Sequence, residues 1–124
     1  IAINHLGFLH DGESEAHEDL WRQGLHALAN LPQAYMKLSM LWFGCDGYHS
    51  DPVKTSFMRD RVRETIDIFG VECCMFASNY PVDRFKHIDI PTLYGQFLEW
   101  STEYTRDEQI ALFHDTAQRA YGAL

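Results

Sequence analysis

The sequence has no long hydrophobic run. Its apolar stretches last a few residues each, far short of the roughly 20 that span a bilayer, and no signal-peptide pattern opens the chain. It has no basic run either. Ten Lys and Arg stand against 18 Asp and Glu, for a formal charge of -8, which argues against a nucleic-acid or anionic-membrane surface, because phosphate binding depends on clustered cations. Cysteine is scarce. Cys45 and the adjacent Cys73 and Cys74 form no disulfide framework, since the count is odd and neighbours in a strand face opposite ways; they read as buried or idle thiols. No Gly-rich loop of the GxGxxG or GxxxxGK type follows any predicted strand. Internal repeats and low-complexity tracts are also missing. What remains is ordinary globular composition, 124 residues of which 46% are hydrophobic, enough for one domain-sized core. A soluble, cytoplasmic protein is the default expectation.

The hydrophobic period switches regularly along the chain. Ile1 to Ile3, Ala34 to Leu38 and Cys73 to Ala77 read as short strands. Leu20, Trp21, Leu25, Leu28 and Leu31 form one helical stripe, and Met58, Val62, Ile66 and Phe69 form another. Gly70 stands where a left-handed helix cap is expected. Asp89 with Pro91 opens a third helix, carried inward by Leu93, Tyr94, Phe97 and Leu98. Thr105 with Glu108 is a capping box for a last helix, whose stripe is Ile110, Phe113, Ala117, Ala120 and Tyr121. Residues 39–54 and 78–86 read as loops.

Repeated strand-helix units imply a parallel α/β sheet covered by helices. Three strands leave two open edges, and 124 residues is half the roughly 250 of a closed (β/α)8 barrel. The opening residue is Ile1, inside a strand, where Met would be expected. The whole chain, residues 1–124, is therefore expected to be a single partial domain, the C-terminal part of a (β/α)8 TIM barrel with about three βα units and a C-terminal helix. An open doubly wound sheet competes, as does pairing with a second copy into a homo-oligomer that buries the open edges.

In parallel α/β folds the active site gathers where strands end. That rule selects Asn4 and His5, then Lys37 and Ser39, then Ser78, Asn79, Tyr80 and Asp83. An imidazole at a strand end can ligate a metal or move protons near neutral pH, or simply hold a structural hydrogen bond. Lys37 can meet an anionic substrate, or tie two strands together beside Ser39. Asn79 can orient a substrate or serve the turn at Tyr80-Pro81. Asp83 is a candidate base or ligand, or half of a surface pair with Arg84. His10, Asp11, Glu13 and His17 match no metal spacing and read as a solvated loop and helix N-terminus. Trp42, Phe43 and Tyr48 line a pocket or pack over the rim.

These residues bring a family into view. Asn4-His5-Leu6-Gly7 resembles the D-H-x-G turn of the amidohydrolase-related TIM-barrel family, amidohydrolase family 2, which includes sugar-lactone and pyrone dicarboxylate lactonases and some decarboxylases. Ala34 to Ser39 (AYMKLS) resembles its V-Y-V-K-L-S strand, Met75 to Val82 (MFASNYPV) its M-F-G-S-D-W-P-V strand exit, and Leu112 to Tyr121 (LFHDTAQRAY) its closing L-F-x-x-N-A-x-R-x-Y helix. The motifs lie in order over nearly the whole chain.

The resemblance implies a hydrolase that adds water to an ester-like carbonyl, such as a lactone of a sugar acid or a similar carboxylated small molecule. His5 matches the family histidine that binds metal or polarises the carbonyl. Lys37, Ser39 and Tyr80 fall on the substrate side. Asn79 stands where many members carry the water-activating aspartate. Asparagine cannot take a proton, so Asn79 is expected to place the water; the segment resembles the S-N-(F/Y)-P-V-(D/E) of some members, and Asp83 or a residue outside this stretch is expected to supply the carboxylate that acts as base. Asn4 and Met40 are smaller departures. A divalent ion, Zn or similar, serves some members and is absent from others. The alternatives are a metal-dependent decarboxylase on the same barrel and a non-catalytic relative that binds a small molecule.

Overall fold

The computed structural model describes residues 1–10 and 14–122. Its elements follow the alternation of periods: β1 (Ala2–Ile3), α1 (Glu15–Ala29), β2 (Tyr35–Leu38), α2 (Leu41–Gly44), α3 (Pro52–Phe69), β3 (Cys74–Phe76), α4 (Ile90–Trp100), α5 (Arg106–Ile110) and α6 (Thr116–Tyr121). The strands lie in the order β1-β2-β3, both pairings parallel. Ile3 sits beside Met36, which sits beside Cys74, and Leu38 sits beside Phe76. Because side chains alternate across a pleated strand, these residues share one face, against which the helices build the core. Lys37 is level with Met75 on the opposite face.

Three helices begin at a local side-chain cap. Asp51 accepts hydrogen bonds from the Val53 and Lys54 amides, with Pro52 in the first turn of α3; Asp89 accepts from Thr92 at the head of α4; and the Thr105–Glu108 capping box is complete in both directions. The inward stripe of α3 is as expected, Met58, Val62, Ile66 and Phe69 all being buried. α1 rests on α3 through Arg22, whose Nε donates to Glu64 Oε1 at 2.5 Å while its Nη2 donates to Glu18. The three cysteines are free, and burial pushes the Cys74 thiol up, which keeps it unreactive.

The structure departs from the sequence reading in several places. Leu20 and Leu31, read as part of the first helical stripe, are 63% and 43% exposed, and α1 ends at Ala29. Gly70 has the positive φ of a left-handed cap, +82°, but an extended ψ of 147°, so the chain leaves α3 directly for a 3-10 turn. The loop after β2 contains one helical turn, α2, entered through Met40 at φ 51°. Leu98 is 60% exposed, because the inward line of α4 runs Leu93, Phe97, Trp100. The last helix is interrupted by a π turn at Ala111–Asp115. Ala111 and Leu112 within the wider turn and Thr116 after it are buried, while Ile110 before it and Tyr121 at the end face outward. Among the described residues, no helix is long and apolar enough to cross a membrane.

Candidate active site at the strand ends

His5 leaves β1 in an unusual backbone. His5, Leu6, Gly7 and Phe8 all have positive φ, between 54° and 66°, a region that costs non-glycine residues roughly 1–2 kcal/mol each. The surroundings impose the turn. Trp21 donates its indole N–H to the Leu6 carbonyl at 2.8 Å, Leu6 is buried, and a Cβ on Gly7 would stand 3.0 Å from Leu25 Cδ2. Glycine is thus required twice over at position 7, by its torsion and by α1 packed above it.

The turn delivers the His5 ring to β2. Its Nδ1 lies 3.0 Å from Ser39 Oγ, and Ser39 is fully buried, so the bond fixes the ring plane and leaves Nε2 for a ligand. With the proton on Nε2, Nδ1 accepts from the serine hydroxyl and Nε2 donates; with the proton on Nδ1, Nε2 offers a lone pair. Burial and the nearby Lys37 charge lower the His5 pKa below 6.5, partly opposed by Asp83. The ring is therefore neutral at pH 7. As pH falls through 6.5 the unfolded imidazole gains a proton before the folded one does, so His5 increasingly disfavours the folded state in acid. Lys37→Met removes the second of these depressions and should move the His5 titration upward, toward 6.5, when followed through its ring proton by NMR. An unchanged or lowered midpoint would separate Lys37 from the site.

The exit of β3 contributes a second group. Asp83 is 2% exposed. Its Oδ2 accepts the Asn79 backbone N–H at 2.7 Å and its Oδ1 accepts the Trp42 indole N–H at 2.9 Å. It forms no surface pair with Arg84, which corrects that alternative: the 3-10 turn at Val82–Lys86 folds the carboxylate inward. Its charge is felt at His5 and at Tyr48. Burial first, then that charge, pushes the Tyr48 phenol up, and Tyr48 Oη has no hydrogen-bond partner among the described residues. Asn79 is engaged through its backbone, and its side-chain amide makes no hydrogen bond among the described residues.

The structure thus gathers His5, Ser39 and Lys37, and sets Asn79 with Asp83 beside them. Tyr80 is 43% exposed and lines a cleft of about 500 Å³ with Arg84, His87 and Asp89. In the first loop His10 packs against Phe43 with ring centroids 4.4 Å apart, and Ser14 Oγ lies 3.3 Å from His17 Nδ1. Asp11 and Glu13 lie outside the described residues. Trp42 was legible only as a rim or pocket aromatic, and its bond to Asp83 spans 41 residues. No three His, Cys, Asp or Glu side chains meet in a way that could hold a metal ion among the described residues. His5 Nε2 is one candidate ligand.

The profile of the amidohydrolase family matches residues 1–123. The uncharacterized protein y4mH of Sinorhizobium fredii (strain NBRC 101917 / NGR234) is 36% identical over 122 residues, 98% of this chain and 38% of its own length. A crystal structure of an amidohydrolase from Burkholderia multivorans with bound zinc superposes with a TM-score of 0.87 at 25% identity, over 99% of this chain and 44% of that one. A Pseudomonas putida protein named as a 2-pyrone-4,6-dicarboxylic acid hydrolase shares the fold, with a TM-score of 0.74 at 20% identity over 98% of this chain and 42% of that one. The chain spans less than half the length of each, so its three strands correspond to part of a barrel, and with the matched profile they show that the chain belongs to amidohydrolase family 2.

Proposed function

We propose that the protein carrying this chain hydrolyses an ester-like carbonyl, a lactone of a sugar acid or a similar carboxylated small molecule, by water attack at the barrel mouth. The observation that supports this reading most directly is an imidazole oriented by Ser39 together with a buried carboxylate, both at strand exits, the charge of the second reaching the first. His5 Nε2–H donates to the carbonyl oxygen and follows it as negative charge develops. Asn79 holds the water through its free side-chain amide. Asp83 takes the water proton as the C–O bond forms, and returns it to the ring oxygen as the lactone C–O bond breaks, leaving a hydroxy acid. Lys37 meets the substrate's carboxylate.

The test is acid release from a panel of five- and six-membered aldonolactones, followed by pH-stat with and without added zinc. His5→Ala should lower kcat/KM at least about 100-fold, the low end of what a positioned acid-base group supplies. Carbon dioxide released from an aromatic acid, with no lactone opened, would favour the decarboxylase reading. Asn79 in place of a proton-accepting aspartate favours a binding-only relative, and for that reading turnover should appear in Asn79→Asp alone.

A further inference from the structure

We propose that Trp42 is a positioning residue for Asp83, reaching from the segment after β2 to lock a carboxylate that belongs to the segment after β3. The proposal rests on the hydrolytic reading for its catalytic consequence and on the geometry alone for the lock itself. Asp83 has two neutral donors, one per oxygen: the Asn79 amide approaches Oδ2 at 2.7 Å and the Trp42 indole approaches Oδ1 at 2.9 Å. The first donor is four residues away and moves with the same turn. The second comes from a different βα unit, so of the two it is the one that fixes the carboxylate relative to His5 and Ser39. A buried carboxylate held by oriented N–H groups keeps its direction when substrate arrives, and hydrogen-bond partners of site residues typically change activity about 10- to 100-fold when removed.

Trp42 is itself held. Its ring meets Phe43 edge-on, with centroids 6.3 Å apart, and the Lys86 ammonium stands 5.2 Å from its centroid. Lys86 in turn pairs with Asp46 at 3.2 Å. Lys86 lies in the 3-10 turn that carries Asp83, so the two loops grip each other at two points, indole N–H on carboxylate and ammonium on ring. Cation and hydrogen bond use different parts of the same side chain. A phenyl ring can keep the first and must lose the second.

Trp42→Phe therefore isolates the N–H. Two readouts are taken on the protein carrying this chain. Amide exchange at Asn79, measured by NMR, should quicken about tenfold or more in Trp42→Phe, because its acceptor is no longer pinned. On a lactone substrate kcat should fall about 10- to 100-fold while KM changes less than about threefold, a split that general loosening of the fold would not give. Unchanged exchange at Asn79 overturns the lock whether or not any lactone is hydrolysed. Quickened exchange with kcat within about twofold of wild type overturns the positioning role. If the wild type opens no lactone, the hydrolytic reading has failed, and the exchange measurement still decides whether Trp42 holds Asp83. Should Trp42→Phe fold poorly, Lys86→Met, which releases the ring from above and leaves the N–H, should give the same changes in weaker form, and its silence in both readouts counts against the lock.

Discussion

Asp83→Ala is expected to lose stability and activity together. Removal of the carboxylate leaves two donors facing a buried space, the Trp42 indole and the Asn79 amide, and an unsatisfied buried donor costs about 1–3 kcal/mol. The unfolding free energy in urea should fall by about 2–4 kcal/mol, and kcat/KM on a responsive lactone by about 1,000-fold, within the range of acid-base catalysis. Asp83→Asn divides the two effects. It keeps one acceptor for one of the donors, recovering about half of the lost stability, while offering no base. Full activity in Asp83→Asn would remove the proton-transfer role; unchanged stability in Asp83→Ala would mean that both donors find other partners.

Phe97→Ala should be the most damaging single change in the core away from the site. Phe97 is fully buried, stacks on Phe76 with centroids 4.4 Å apart, and meets Tyr94 and Trp100 edge-on. It joins the end of β3 to α4, the helix that follows the loop carrying Asn79 and Asp83. Deleting such a ring typically costs about 3–5 kcal/mol, a transfer term plus a cavity. Leu98→Ala, one residue on and 60% exposed, should change stability by less than about 0.5 kcal/mol, as surface substitutions do. Denaturant unfolding of the two variants side by side checks the direction of α4 as well as the size of the effect, and comparable losses would mean that the helix turns a different face to the core.

Those two neighbours show where sequence pattern was sufficient and where it was not. Leu93 and Phe97 follow a helical period and are buried as it predicts; Leu98 is equally apolar, but a helix has only one inward line, and tertiary packing chose Trp100 to continue it. His5 and Ser39 were legible because they stand where a strand's alternation breaks off, and that rule requires no knowledge of contacts. The burial of Asp83 was not, since a carboxylate after Tyr-Pro-Val beside an arginine has the local signature of a surface turn. That burial depends on an indole 41 residues earlier, and no local window spans that separation. The π turn at Ala111–Asp115 was hidden for a similar reason. The capping box fixed the start of the last helix, while the packing of Leu112 and the bond from Thr116 Oγ1 to the Val71 carbonyl at 3.3 Å accompany its change of phase.

The left-handed run from His5 to Phe8 sets stability and placement against each other. Leu6 is buried and would lose more in the core than its torsion returns, but Phe8 is 55% exposed in a torsion that glycine adopts freely, so a stability-driven library would favour glycine at position 8. Glycine there would also loosen the short turn that aims the His5 ring at Ser39. Sturdiness at position 8 would thus be gained at a torsion that helps to hold the imidazole in place. A collection of variants ranked by melting temperature alone would accumulate changes beside the one histidine whose aim they set, and would drift toward a better-tempered scaffold with a blunted site.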